Sequence, residues 1–280
     1  MRDNSKRFAA GAEAPPAAPA SEGPSLDFSV PTEIVDLPSK GRFYPEDHPL
    51  YNQETIEIKF MTAKDEDILT SPSLLKKGLA IDRFLRNVIL DKRISVPTLL
   101  SGDKNAILVA SRINGFGSDY TTKVTCPSCA TVTENTFDLD EVGIYDGQDY
   151  KDYDVIPTKV GTFIIRLPKT NFEVEVRLLN SKDENELASK MQANKKSRLY
   201  EPNLTDQLKK IIVSINGVDD FQMVHKAIDA LPAFDSRYLR AAYLKVVPGL
   251  NMTQHFACPA CGFEKEVDIP LTVDFFWSKQ

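Results

Sequence analysis

Apolar and polar residues alternate along Thr55–Lys59, with Ile56 and Ile58 on one side and Thr55, Glu57 and Lys59 on the other. The alternation returns at Glu173–Val176, where Val174 and Val176 hold the apolar side. A period of two predicts a strand with one face on a core. Each strand is followed by a helix start: Thr62 with Asp65 and Glu66, and Asn180 with Asp183 and Glu184. A short polar side chain there satisfies free N–H groups, and first-turn carboxylates meet the positive end of the helix dipole. Acid–base or metal work would need these acids to converge in a cleft, and capping accounts for both runs. Apolar residues then recur at helical spacing in AIDRFLRNVIL (80–90) and LTDQLKKIIVSI (204–215), which predicts further helix. In each case another helix leads through a glycine to a strand, a cysteine knuckle and a closing strand, NTFDLDEV (135–142) or KEVDIPLTVDFF (265–276).

The parallel extends to single residues. Glu57, Lys64, Asp65, Glu66, Leu69 and Ser71 recur 118 positions on as Glu175, Lys182, Asp183, Glu184, Leu187 and Ser189. EIVDLPSKG (33–41) parallels FIIRLPKTN (163–171). The stretch from Asp103 to Cys129 parallels that from Asp235 to Cys261 at an offset of 132, with Gly117 falling on Gly249. The second copy thus carries 14 extra residues, expected in or near MQANKKSRLYEPN (191–203). The expected fold is α+β: two copies of a strand–helix–strand module, 28–147 and 158–280, related by a pseudo-twofold axis.

All four cysteines lie in two Cys-Pro-x-Cys knuckles, Cys126/Cys129 and Cys258/Cys261. A two-residue spacer lets both thiolates reach one ion, and Zn²⁺ takes four such ligands in a tetrahedron. The pairs are 128 residues apart, where a zinc ribbon leaves about 15–20. Duplication removes the difficulty, because a pseudo-twofold axis would bring equivalent knuckles together. The expectation is one structural, zinc-ribbon-like site of four cysteines clamping copy to copy, with no open position for water.

Composition narrows the function. With 42% hydrophobic residues, the 280-residue chain can bury a sizeable core. It holds no apolar run of 18 residues, so no membrane span is expected, and the N-terminus lacks the apolar stretch of a secretory signal. Residues 1–26, rich in Ala, Pro and Ser, are expected to form a disordered tail. A net charge of −6 argues against bulk attraction to nucleic acid. The basic runs ANKKSR (193–198) and LDKR (90–93) read as solvated faces. A nucleic-acid-binding zinc ribbon protein, such as a transcription accessory factor, is the alternative reading. His48, His225 and His255 form no paired pattern, and phosphate-loop, dinucleotide and nucleophile-elbow motifs are absent. No catalytic residue, small-molecule substrate or enzyme activity is therefore expected. The aromatic end, Phe275, Phe276 and Trp277, is expected to finish the core of the second copy.

Leu37–Gly41 (Leu-Pro-Ser-Lys-Gly), Tyr44–Leu50 (Tyr-Pro-x-x-His-Pro-Leu), Thr62–Asp67 and Leu74–Gly78 (Leu-Leu-Lys-Lys-Gly) carry a further signal. Over residues 33–95 the chain resembles the T4-type bacteriophage baseplate protein family. The resemblance implies a structural or assembly protein of the hub of contractile tails, in the virion or in the host cytoplasm during assembly. It implies other hub or tail proteins as partners and supplies no catalytic residues.

Overall fold

The computed structural model describes residues 29–197, 204–269 and 273–276. The tail expected at 1–26, residue 277 and the 198–203 part of the expected insertion lie outside these residues. Among them are eight α-helices and several small antiparallel sheets, so the chain is α+β.

β1 (Thr32–Asp36) runs antiparallel to β2 (Thr55–Lys59), with Val35 opposite Ile56. β1 ends at Leu37-Pro38, as the sequence implies. The chain then turns through Lys40 and Gly41, at φ 51° and 69°. A Cβ on Gly41 would lie 2.4 Å from Leu50 O, so glycine alone fits this turn. Ile56 and Ile58 are buried in β2. Helices α1 (Ala63–Thr70), α2 (Pro72–Lys77) and α3 (Ala80–Val88) follow, and Ile89 returns to β2 as an antiparallel bridge to Ile58. α4 (Ser101–Phe116) leads to the hairpin of β3 (Asp119–Thr125) and β4 (Val132–Asp138), then to short β5 (Gly143–Tyr145).

The second half opens with a sheet in the order β6 (Val155–Pro157), β7 (Phe163–Arg166), β8 (Glu173–Val176) and β9 (Ile212–Ile215). Between β8 and β9 come α5 (Ser181–Ser197) and α6 (Leu204–Ile211). Then follow α7 (Phe221–Asp229), α8 (Ala233–Val246), β10 (Gly249–Asn251) and the hairpin of β11 (Thr253–Ala257) and β12 (Glu264–Asp268).

Two expectations are corrected. LTDQLKKIIVSI is not all helix: α6 ends at Ile211 and the β-branched run after it joins the sheet, with Ile212 opposite Val176. The last strand also stops short of the aromatic end. β12 ends at Asp268, and Val273–Phe276 form a 3₁₀ turn. Phe275 and Phe276 are core residues, and their rings reach into the first half. Phe275 meets Tyr120 at 5.1 Å between ring centres, and Phe276 meets Phe84 at 5.3 Å. The buried Arg112 of α4 fixes this end by donating from Nε to Phe275 O (3.1 Å), from Nη1 to Gly117 O (2.7 Å) and from Nη2 to Asp119 O (3.0 Å).

The halves share one core, in which Ile58, Phe84 and Ile107 join Ile165, Val176 and Val246. Backbone bonds stitch them together: Ser101 N–H to Leu179 O (3.1 Å) and Ser181 N–H to Leu99 O (2.8 Å). β5 pairs with β10 of the other half, Ile144 facing Leu250. A Cβ on Gly102 would lie 2.1 Å from Pro248 O, which shows how closely α4 approaches the β10 segment.

Several polar devices occur once in each half. Asp65 accepts from Thr62 N–H (3.0 Å) and the Thr62 hydroxyl (2.6 Å), while Asp183 accepts from Asn180 N–H (3.2 Å) and donates its own N–H to Asn180 Oδ1 (3.0 Å). Each carboxylate also meets a cation from the preceding strand end, Lys59 at 3.6 Å and Arg177 at 2.7 Å. Buried Asp103, in the first turn of α4, accepts from Ser39 N–H (3.0 Å) and the Ser39 hydroxyl (2.6 Å). Buried Asp235, in the first turn of α8, accepts from Thr170 N–H (2.9 Å), the Thr170 hydroxyl (2.8 Å) and Lys169 N–H (3.0 Å). Each thus ties the Leu-Pro turn to a long helix.

Candidate metal centre

Each knuckle is the tip of a hairpin. Within β3–β4, Cys126 N–H donates to Thr131 O (2.9 Å) and Ala130 N–H donates to Cys126 O (2.9 Å). Within β11–β12, Cys258 N–H donates to Phe263 O (2.8 Å) and Gly262 N–H donates to Cys258 O (2.9 Å). The left-handed position is Gly262 (φ 69°) in one loop and Ala130 (φ 57°) in the other. In each knuckle the first cysteine is buried and the second exposed. A small cluster of Cys126, Phe256 and Cys258, with Val124, Phe263 and Val267 against it, seats the two tips. Gln254 of β11 accepts from Asp138 N–H of β4 (3.2 Å) and donates to Asp138 O, bridging the hairpins.

The four Sγ atoms lie within 4.8 Å of one another. The close contacts cross between knuckles: Cys126 to Cys261 at 3.8 Å and Cys129 to Cys258 at 3.8 Å. A disulfide would bring sulfurs to about 2.05 Å, so these are four thiols. A metal–sulfur bond of about 2.3 Å gives a tetrahedron whose edge is about 3.8 Å. The donor set and spacing therefore fit a soft ion held by four thiolates. The charge balance points the same way. Cys129 is drawn down to about 6 by its hydrogen bonds with the Thr131 hydroxyl and backbone. A backbone hydrogen bond at Phe263 favours ionisation of Cys261, but its contacts with Cys129, Cys258 and Cys126 and its desolvation together outweigh this and push it up to about 12. Thiolates crowded together oppose one another's ionisation, and a divalent cation reverses that opposition.

The histidines stand elsewhere. His255 sits across from Glu266 in the second hairpin, with Nδ1 3.8 Å from the carboxylate, and His225 packs on Phe221. His48 stacks on Tyr44 at 4.3 Å between ring centres.

Residues 30–277 match the family described as T4 bacteriophage base plate protein. The chain belongs to this family. The match extends far beyond the motifs at 33–95 and takes in both knuckles. No curated protein and no solved structure matches the chain. In this baseplate protein the motif residues build structure: the Tyr44 hydroxyl donates to Asp103 Oδ2 (2.8 Å) and accepts from Leu100 N–H (3.0 Å). His48 Nδ1 accepts from Leu50 N–H (3.1 Å), and its Nε2 lies 2.8 Å from the Thr98 hydroxyl. The network around Asp103 and Asp235, and the Arg112 clamp, were not singled out as sites by sequence reasoning. Their signal was the recurrence of the two aspartates at the start of matching helices. Among the described residues no helix is long and apolar enough to cross a membrane.

Proposed function

We propose that this protein is a structural or assembly component of the baseplate hub of a tailed phage, working by protein–protein binding and not by turnover. The observation that carries the reading is the family match across nearly the whole chain. Its partners are other hub or tail proteins, and its place is the virion baseplate or the host cytoplasm during assembly. In this reading Cys126, Cys129, Cys258 and Cys261 hold one structural Zn²⁺. The ion cross-links two hairpins from opposite halves, and four thiolates leave it no position for water.

We further propose that the chain is a duplicated module, 28–147 and 158–280, with the ion on the pseudo-twofold axis. The paired aspartate devices, the two capping arrangements and the crossed Sγ contacts support this. The strand bridges also correspond: Ile58 with Ile89 in one half, Val176 with Ile212 in the other. By that correspondence the offset grows from 118 at Val176 to 123 at Ile212 and 132 at Asp235. Most of the extra residues then fall around α7, not at 191–203.

Quantitative mass spectrometry of purified virions and infected-cell lysate tests the hub role. A fixed low ratio to other hub proteins in virions marks a subunit. Abundance in lysate, bound to hub precursors and missing from virions, marks an assembly factor. Absence from both the baseplate and its precursors would sink the reading.

A further inference from the structure

The acidity of the chain is local. Residues 134–154 carry eight carboxylates against one lysine, an excess larger than the net charge of −6 of the whole chain. Asp140 and Glu141 are exposed here in the short turn after β4. Only Asp149 and Asp154 of this run form ion pairs among the described residues, with Lys245 and Arg166.

The opposite charge gathers in the segment from Lys59 to Arg93, which contains α1–α3. Residues 59–93 hold eight cations and five acids. Lys92 is used within the fold, since it donates to the carbonyls of Arg86 and Ile89 at the end of α3, and Arg93 pairs with Asp91. The side chains of Lys64, Arg83 and Arg86 form no hydrogen bond or ion pair among the described residues. They line an open groove of about 730 Å³ along α1–α3, together with Lys92, one carboxylate, Asp67, and apolar Ile68 and Leu74. In the second half, α6 follows β8 and α5 as α3 follows β2 and α1. On α6 itself both lysines are paired: Lys209 with Asp229 at 2.6 Å and Lys210 with Glu186. The cations of α3 thus lack the partners that those of α6 have among the described residues.

We propose that the groove of α1–α3 docks the acidic run 134–154 of a second copy of this chain, head to tail. The two surfaces are complementary in charge, and no ion pair joins them within one chain among the described residues. Two different surfaces meeting make a heterologous contact, which closes into a ring or extends as a string of subunits. Single exposed ion pairs contribute little, so the contact needs several together and weakens as salt screens them. The proposal is independent of the metal and of the baseplate role.

Sedimentation velocity of the full zinc-loaded chain tests it, with nuclease-treated protein. Association at low salt should disappear near about 0.5 M salt, where the screening length is only a few ångströms. Arg83→Glu with Arg86→Glu should sediment as a monomer, and so should Asp140→Lys with Glu141→Lys. All these positions are exposed, and unchanged circular dichroism and melting will confirm that both variants fold. An equimolar mixture of the two should associate again, because reversed charges face each other once more. A wild type that is monomeric at low salt overturns the proposal. So does association that survives in either variant, failure of the mixture to restore it, or association that nuclease removes, since the groove would then be binding nucleic acid.

Discussion

Cys126 Sγ lies 3.8 Å from Cys261 Sγ, 135 positions away in sequence, and exchanging each knuckle for the other turns this contact into that of Cys258 with Cys129, also 3.8 Å. Reciprocity of this kind is what the proposed duplication requires of a contact on its pseudo-twofold axis. It falls at the point where four thiolates would share an ion.

If an ion joins the hairpins, losing one exposed ligand weakens the whole chain. Cys129→Ser and Cys261→Ser should each lower stability by on the order of 5 kcal/mol, a part of the roughly 10–16 kcal/mol that structural zinc contributes in small fingers. Chelator should lower the melting temperature of the wild type and leave both variants nearly unmoved. Equal chelator sensitivity in all three would count against the site.

The two knuckle loops differ at their left-handed residue. Ala130 holds φ 57° where Gly262 holds 69°. A side chain in this conformation costs about 1–2 kcal/mol, partly offset by the greater freedom of glycine in the unfolded chain. Ala130→Gly should therefore raise stability by about 0.5–1 kcal/mol in urea titration, while Gly262→Ala lowers it.

Asp103 and Asp235 do the same work in different settings. Burial pushes Asp103 up despite the donors at Ser39 and Tyr44, whereas at Asp235 the donors at Thr170 and Lys169 outweigh burial and hold it down. An amide in either place turns an acceptor into a donor facing other donors. Asp103→Asn and Asp235→Asn should each cost about 2–3 kcal/mol by chemical denaturation.

His48 makes stability depend on pH. Burial lowers its basicity, opposed by nearby Asp47. Nδ1 accepts the Leu50 N–H, so protonation sets two donors against each other. The folded-state value lies below the unfolded one, near 6.5. The contribution is whole above pH of about 6.5 and is lost as pH falls toward the folded value. His48→Gln should flatten the stability profile just below pH of about 6.5, and an unchanged slope would refute the assignment.

Much of this was legible because local signals were strong. The alternation in β2 and β8, the polar helix starts and the knuckles each declare themselves within a few residues. Ile211–Ile215 did not, since a short apolar run fits a buried strand as well as a helix end. Its β-branched composition was the available hint. The crossing of the aromatic end to Phe84 and Tyr120 depends on Arg112, whose three carbonyl partners are brought together only by tertiary folding. No periodicity encodes that.

If one metal ion joins the two halves of one chain, native mass spectrometry with elemental analysis of the purified protein will show it. One Zn²⁺ per chain is expected at high salt in a monomer, and none when all four cysteines are replaced by serine. A chain that purifies without metal and binds no added Zn²⁺, or a dimer that holds its zinc between two chains and falls apart with chelator, would contradict it.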